Sequence, residues 1–156
     1  MKIFIIGGPG SGKTTLAKTL SERYNIPRCD LDDLFWDNTA ASYGTKRDPA
    51  ERDALLKKIL EQENWIIEGV YYAWCVRCFA EADRICSLNV PRHVYRRRIV
   101  RRFVRRKLGI EKGKKETLRS LRDLLNWADR YREKNAVEIE KILCAYPEKV
   151  FSEEEF

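Results

Sequence analysis

Residues 7–14 read Gly-Gly-Pro-Gly-Ser-Gly-Lys-Thr, between the apolar run Lys2–Ile6 and a helical pattern that begins at Thr14. This segment satisfies G-x-x-x-x-G-K-[ST] in the strand–turn–helix setting the motif requires. Glycines let the backbone wrap closely, so that its N–H groups and the following helix N-terminus point at phosphate oxygens. The expected contacts to a nucleoside triphosphate run through Gly8, Pro9, Gly10, Ser11, Gly12, Lys13, Thr14 and Thr15, with Lys13 on the β- and γ-phosphates and the Thr14 hydroxyl on Mg²⁺. A dinucleotide loop does not fit, because Lys13 occupies the third glycine position after Gly8 and Gly10.

A strand that feeds such a loop implies more strands of the same kind. "IPRCDL", "WIIEG" and "RICSLNV" are short apolar runs, and "KVFS" reads as a final short one. Helical spacing separates them: Leu16, Ala17, Leu20 and Tyr24 before Pro27, then Leu55, Leu56, Ile59 and Leu60 in a helix opened by Asp48-Pro49 and running to about Gln62. A short helix is expected from Trp74 to Ala82, and two more from Glu116 to about Arg132 and from about Asn135 to Ala145. Alternating strands and helices predict an α/β domain on a parallel sheet. "DNTAASYGTKRDP" and "GIEKGKK" read as mobile connections.

With 156 residues the chain is the size of one domain, 1–156. No stretch approaches the roughly 20 apolar residues of a membrane helix, and the start lacks the pattern of a secretory signal, so no membrane association and a cytoplasmic setting are expected. Five cysteines at irregular spacing are read as reduced, and the Cys75/Cys78 pair as apolar packing rather than a zinc site.

The net charge of +7 points to an anionic partner. The charge concentrates in "RHVYRRRIVRRFVRRK", Arg92–Lys107, which carries eight arginines beside an apolar stripe of Tyr95, Ile99 and Phe103. Rows at Arg98, Arg102 and Arg106, and at Arg97, Arg101 and Arg105, can clamp phosphates or track a nucleic-acid backbone. The glycines that follow favour a hinged lid, with its flanking helices over about 92–134, which excludes water from phosphoryl transfer. Asp32 and Asp33 follow a strand, and Glu68 with Gly69 ends another, so these acids are expected at the carboxyl edge of the sheet beside the phosphates. There Asp32 can accept a hydroxyl proton, Asp33 and Glu68 can contact substrate, Glu68 can support Mg²⁺ with Thr14, and Gly69 leaves room for a ligand.

"IIGGPGSGKTTLAKTL", "LDDLFW", "NWIIEGVY" and "ADRICSLNVPR" with the arginine helix together resemble the small P-loop kinases of the adenylate-kinase-like group, most closely the DNA topology modulation (FlaR-like) proteins. The resemblance implies a three-layer α/β/α P-loop NTPase fold with a five-stranded parallel sheet and a basic helical lid. It also implies ATP and Mg²⁺ as cofactors, Lys13, Asp32, Arg98 and Arg102 as catalytic residues, Asp32 and Asp33 facing the acceptor, and Phe151 and Ser152 near adenine. The T-G-D and G-F-P-R substrate motifs of adenylate kinases are missing, so AMP is not the expected acceptor.

The expected activity is therefore transfer of the γ-phosphoryl group of Mg-ATP to a small acceptor, a nucleoside or nucleotide being one class. A nucleotide-gated nucleic-acid-binding ATPase is the alternative, and the oligomeric state is left open.

Overall fold

The computed structural model describes residues 1–37, 44–111 and 117–156. The expected mobile connections fall partly outside these, Gly113 and residues 38–43 included. Strand β1 (Lys2–Gly7) runs parallel between β3 (Trp65–Gly69) and β4 (Arg84–Leu88), and β2 (Arg28–Asp30) pairs with the far side of β3. The order is β2-β3-β1-β4. Ile3, Phe4, Ile5 and Ile6 are all fully buried, as a central parallel strand covered on both faces requires.

Side chains alternate across the sheet, and each face receives its own helices. Ile3, Ile5, Ile66 and Cys86 meet Leu16, Ala17 and Leu20 of α1 (Lys13–Tyr24). Phe4, Ile6, Ile67 and Ile85 meet the opposite set, α3 (Pro49–Leu60), α4 (Val76–Glu81) and α7 (Ala136–Leu143), through Leu56, Leu60, Phe79, Ile139 and Leu143. Burial of each such side chain stabilises by about 1.5–3 kcal/mol. The amphipathic C-terminal helix α7 thus packs on its own sheet. Cys75 and Cys78 are buried in this second layer as free thiols.

The fifth strand expected at "KVFS" is not formed: the sheet has four strands, and Val150 makes a single parallel bridge to Ile85. The Phe151 N–H donates to the Ile85 carbonyl at 2.9 Å. A proline-led 3₁₀ turn, Pro147–Lys149, ends just before this segment, and a second turn, Glu153–Glu155, begins just after it. Little extended chain is left between them to build a ladder.

Asp48 caps α3 as expected, accepting from the Ala50 and Glu51 N–H groups, with Pro49 in the first turn. The run after β2, read as acids following a strand, is helical: Asp30 caps the short α2 (Leu31–Phe35) by accepting from the Asp32 N–H. The arginine helix α5 (Arg92–Lys107) packs through Tyr95 and Ile99 on Ala128 of α6 (Leu118–Arg130). One π-helical turn, Tyr131–Asn135, joins α6 to α7. Among the described residues no helix is long and apolar enough to cross a membrane.

Asp129 of α6 is the polar anchor of this helix pair. It accepts from the Tyr95 hydroxyl, Arg92 Nη2 and Arg96 Nη1, each at 2.6 Å. The Tyr95 hydroxyl and then the guanidinium groups hold its carboxyl below the usual range. A depressed carboxyl stabilises above its unfolded-state pKa of about 4, and that contribution is lost as pH falls. Asp129→Asn is expected to lower the melting temperature by a few degrees at pH 7, with the gap closing toward pH 3; thermal melts across that range check it.

Candidate active site

The phosphate loop is clasped from outside. Gly10 and Gly12 take φ of +73° and +112°, a region in which side chains are strained. A Cβ on Gly10 would lie 2.8 Å from the Tyr95 carbonyl oxygen, and one on Gly8 would lie 2.9 Å from Cδ1 of Tyr131. From α5, Arg98 Nη1 donates to the Ser11 carbonyl at 2.6 Å. Gly10→Ala would combine left-handed strain with overlap against backbone, together about 2–4 kcal/mol. Both a lowered melting temperature and lost nucleotide binding are expected, read by a thermal melt and a nucleotide titration.

Inside the loop, Lys13 is buried and its Nζ donates to the Gly8 carbonyl at 3.0 Å. Thr14 Oγ1 donates to Glu68 Oε2 at 3.0 Å. Strand register sets Asp30 of β2 directly beside Glu68 of β3. Glu68 is 1% exposed; its Oε1 finds no hydrogen-bond partner among the described residues and faces Arg28 Nη1 at 3.8 Å. Burial, and then the charge of Asp30, push the Glu68 carboxyl up to about 7. Burial also raises Asp30. Lys13 is lowered by burial, against the opposing fields of Glu68, Asp30 and Asp32.

This donor set suits a magnesium ion carried by a triphosphate. Among the described residues no three acids, cysteines or histidines gather to hold a metal by themselves. Mg²⁺ keeps several waters and takes its other oxygens from phosphates and one or two protein groups. Thr14 and Glu68 fit that role, two oxygen donors that their own hydrogen bond holds together.

Asp32 is exposed on α2, and its Oδ1 accepts from the Tyr71 hydroxyl at 2.7 Å. The Tyr71 ring stacks on Phe35 at 4.7 Å. Asp33 is exposed beside it, and Arg102 is half-buried on α5, close enough for Lys13 to feel its charge. Thr15 is exposed on the first turn of α1. The space expected for a ligand at Gly69 is taken by Leu31, whose Cδ1 would lie 2.7 Å from an added Cβ. Phe151 lies under the Arg84 guanidinium at the amino end of β4, and Ser152 is hydrogen-bonded to Glu155, so neither reaches the phosphate loop.

Sequence comparison matches residues 3–119 to the AAA domain family. The chain belongs to that family. Adenylate kinase of Lachnoclostridium phytofermentans is 30% identical over 83 residues, 53% of this chain and 35% of that protein. Adenylate kinase of Clostridium botulinum (strain Eklund 17B / Type B) is 50% identical over 38 residues, 24% of this chain and 18% of that protein. The matched segments thus span about a fifth to a third of those relatives. Shikimate kinase from Bacteroides thetaiotaomicron superposes with a TM-score of 0.57 at 24% identity, over 87% of this chain and 80% of that one. A gluconokinase from Sinorhizobium meliloti 1021 gives 0.53 at 16% identity, over 97% and 80%. The fold is that of a small α/β P-loop kinase.

In this AAA-domain chain the sheet edge therefore sets Lys13 among three carboxylates that act on it, under a loop held by Arg98. Such a set can bind phosphate oxygens and offer a base to a hydroxyl. Tyr71 and Tyr131, which join this site, carry no motif of their own. A signal was present for Tyr71 alone, two residues after the Glu68-Gly69 pair that ends β3.

Proposed function

We propose that the protein is an ATP-dependent phosphotransferase that moves the γ-phosphoryl group of Mg-ATP to a hydroxyl of a small acceptor, nucleosides and nucleotides being the first class to try. The observation that carries this reading is Lys13, buried within the phosphate loop and in the field of Glu68, Asp30 and Asp32.

In this reading Lys13 binds the β- and γ-phosphate oxygens, and Arg98 and Arg102 neutralise charge that builds on the transferred group. Asp32 orients the acceptor hydroxyl and takes its proton. Thr14 and Glu68 hold the magnesium, which neutralises the phosphate oxygens when bound with ATP. Within residues 1–156 as a single kinase-like unit, about 92–134 supply the lid and its flanking helices, which exclude water on closing. Resemblance to the topology modulation group supports this assignment within the small P-loop kinases.

The nucleic-acid reading keeps fewer arginines than the sequence offers it. Arg98 is on the loop, Arg92 and Arg96 are on Asp129, and Arg105 and Arg106 face Glu111. A test that separates the two is ADP formation from Mg-ATP, measured against small hydroxylated compounds and against duplex DNA at rising salt. ADP formation that depends on one small compound is expected. Stimulation by DNA alone, falling steeply with salt, would overturn the kinase reading.

A further inference from the structure

Asp32, the base of the reading above, stands on a helix of five residues and is exposed to solvent. An exposed carboxylate turns among several rotamers, yet proton transfer requires one geometry beside the acceptor hydroxyl. The Tyr71 hydroxyl supplies a restraint, since its Oη donates to Asp32 Oδ1 at 2.7 Å. That length falls in the range of charge-assisted bonds from a hydroxyl to a carboxylate, about 2.5–2.7 Å.

The meeting of these two residues is built into the sheet edge. Leu31, buried at the start of α2, lies against Gly69 at the end of β3, where an added Cβ would stand 2.9 Å from the Leu31 Cβ. The missing side chain lets α2 settle onto the strand end, and two residues beyond Gly69 the Tyr71 side chain reaches across to Asp32. Asp30 is occupied as the cap of α2, and Asp33 is turned about 100° round the helix from Asp32. The tyrosine therefore singles out one acid of the three.

Tyr71 is itself held in place. Its ring stacks on Phe35 at 4.7 Å and lies 5.4 Å from the Trp74 ring. Arg52 of α3 covers Trp74 at 4.3 Å, and the Lys46 ammonium lies 5.7 Å from the Phe35 ring. The Cys75 thiol donates to the Tyr71 carbonyl at 2.9 Å and pins the backbone. Burial, and then the bond to Asp32, raise the Tyr71 phenol, so it stays a protonated donor at neutral pH. A hydroxyl locked by ring packing and a pinned backbone locks its partner in turn.

We infer that Tyr71 is a positioning residue for phosphoryl transfer: by holding Oδ1 of Asp32 it turns Oδ2 toward the acceptor hydroxyl. The inference rests on the kinase reading above. As the acceptor O–H bond breaks, its proton passes to Oδ2 and its oxygen bonds to the γ-phosphorus. The bond from that phosphorus to the bridging oxygen breaks with its electron pair on ADP. Tyr71 gives up no proton in this step.

The test uses the full chain with Mg²⁺ and γ-labelled ATP, offered adenosine, cytidine, thymidine, AMP, CMP, inositol and ribitol. Tyr71→Phe removes the hydroxyl and keeps the ring. We expect label on at least one probe with the wild type, and a kcat for that probe about 10–100-fold lower in Tyr71→Phe. Its KM, and the Kd for a non-hydrolysable ATP analogue, should stay within threefold. In the Asp32→Asn protein the same substitution should change kcat less than twofold, because the base it serves is gone. A second readout needs no acceptor: in aspartate-labelled protein the ¹³Cγ resonance of Asp32, assigned by its loss in Asp32→Asn, should move in Tyr71→Phe. Should Tyr71→Phe not fold, Phe35→Leu, which removes the stacking ring, is read for the same changes. A kcat unmoved, an equal loss in the Asp32→Asn background, a rise in KM or Kd in place of a fall in kcat, or a ¹³Cγ resonance that stays in place overturns the inference and leaves the kinase reading standing. Label on none of the probes overturns that reading and the inference with it.

Discussion

Glu68→Gln is expected to make the protein more stable and less able to use magnesium. The wild-type carboxyl is 1% exposed and pushed from 4.5 up to about 7, so at neutral pH and above the fold carries a buried charge it disfavours. A raised acid stabilises below its unfolded pKa and loses that contribution as pH rises through the folded value. Wild-type stability should therefore fall between about pH 4.5 and 7, by up to about 3 kcal/mol at 1.36 kcal/mol per unit, and the glutamine variant should fall less steeply there. At pH 8 the variant should melt several degrees higher. It still accepts the Thr14 hydroxyl, and the half-exposed Arg28 loses little. Affinity for Mg-nucleotide should drop about 10–100-fold, and the tightening expected of the wild type as pH rises through about 7 should be absent. A glutamine variant that melts lower at pH 8, or binds Mg-ATP as well as the wild type, contradicts this account of Glu68.

Asp32→Asn separates binding from chemistry. Asp32 is exposed and contributes a hydrogen bond to Tyr71 that asparagine preserves through its carbonyl, so the fold and the aromatic stack on Phe35 should be unchanged. Asparagine cannot take a proton from the acceptor. Loss of a positioned base costs about 10²–10⁴ in turnover. We expect kcat to fall by that factor with the Kd for Mg-ATP within twofold of wild type. Equal loss of ATP affinity would assign Asp32 to nucleotide binding, and unchanged kcat would remove it from the reaction.

How far the sequence discloses the molecule depends on the range of the interaction. The phosphate loop was legible because its glycines, lysine and threonine follow from local backbone geometry, and Gly10 and Gly12 do take positive φ. Asp48-Pro49 announced α3 for the same reason. The short α2 was not legible: Asp32 and Asp33 read as acids at a strand end, and nothing local shows that Asp30 turns back to cap a helix there. Val150 has the residue type of a strand, yet the turns on either side leave it a single bridge. Within the site, the pairing of Asp30 with Glu68 depends on strand register, and the contact of Tyr131 with Gly8 depends on how α6 returns to the loop. Gly69 shows the converse, a suggestive motif residue whose space belongs to Leu31.

The central claim is that the phosphoryl group leaves ATP for an organic hydroxyl at the site around Lys13. The most direct test is the fate of a labelled γ-phosphoryl group in a single turnover with Mg²⁺, across hydroxylated small molecules with and without nucleoside character. The account predicts label on one organic acceptor in the wild type, and label retained on ATP in the Asp32→Asn protein. Label released as inorganic phosphate at equal rates in both proteins, whatever compound is added, would contradict it.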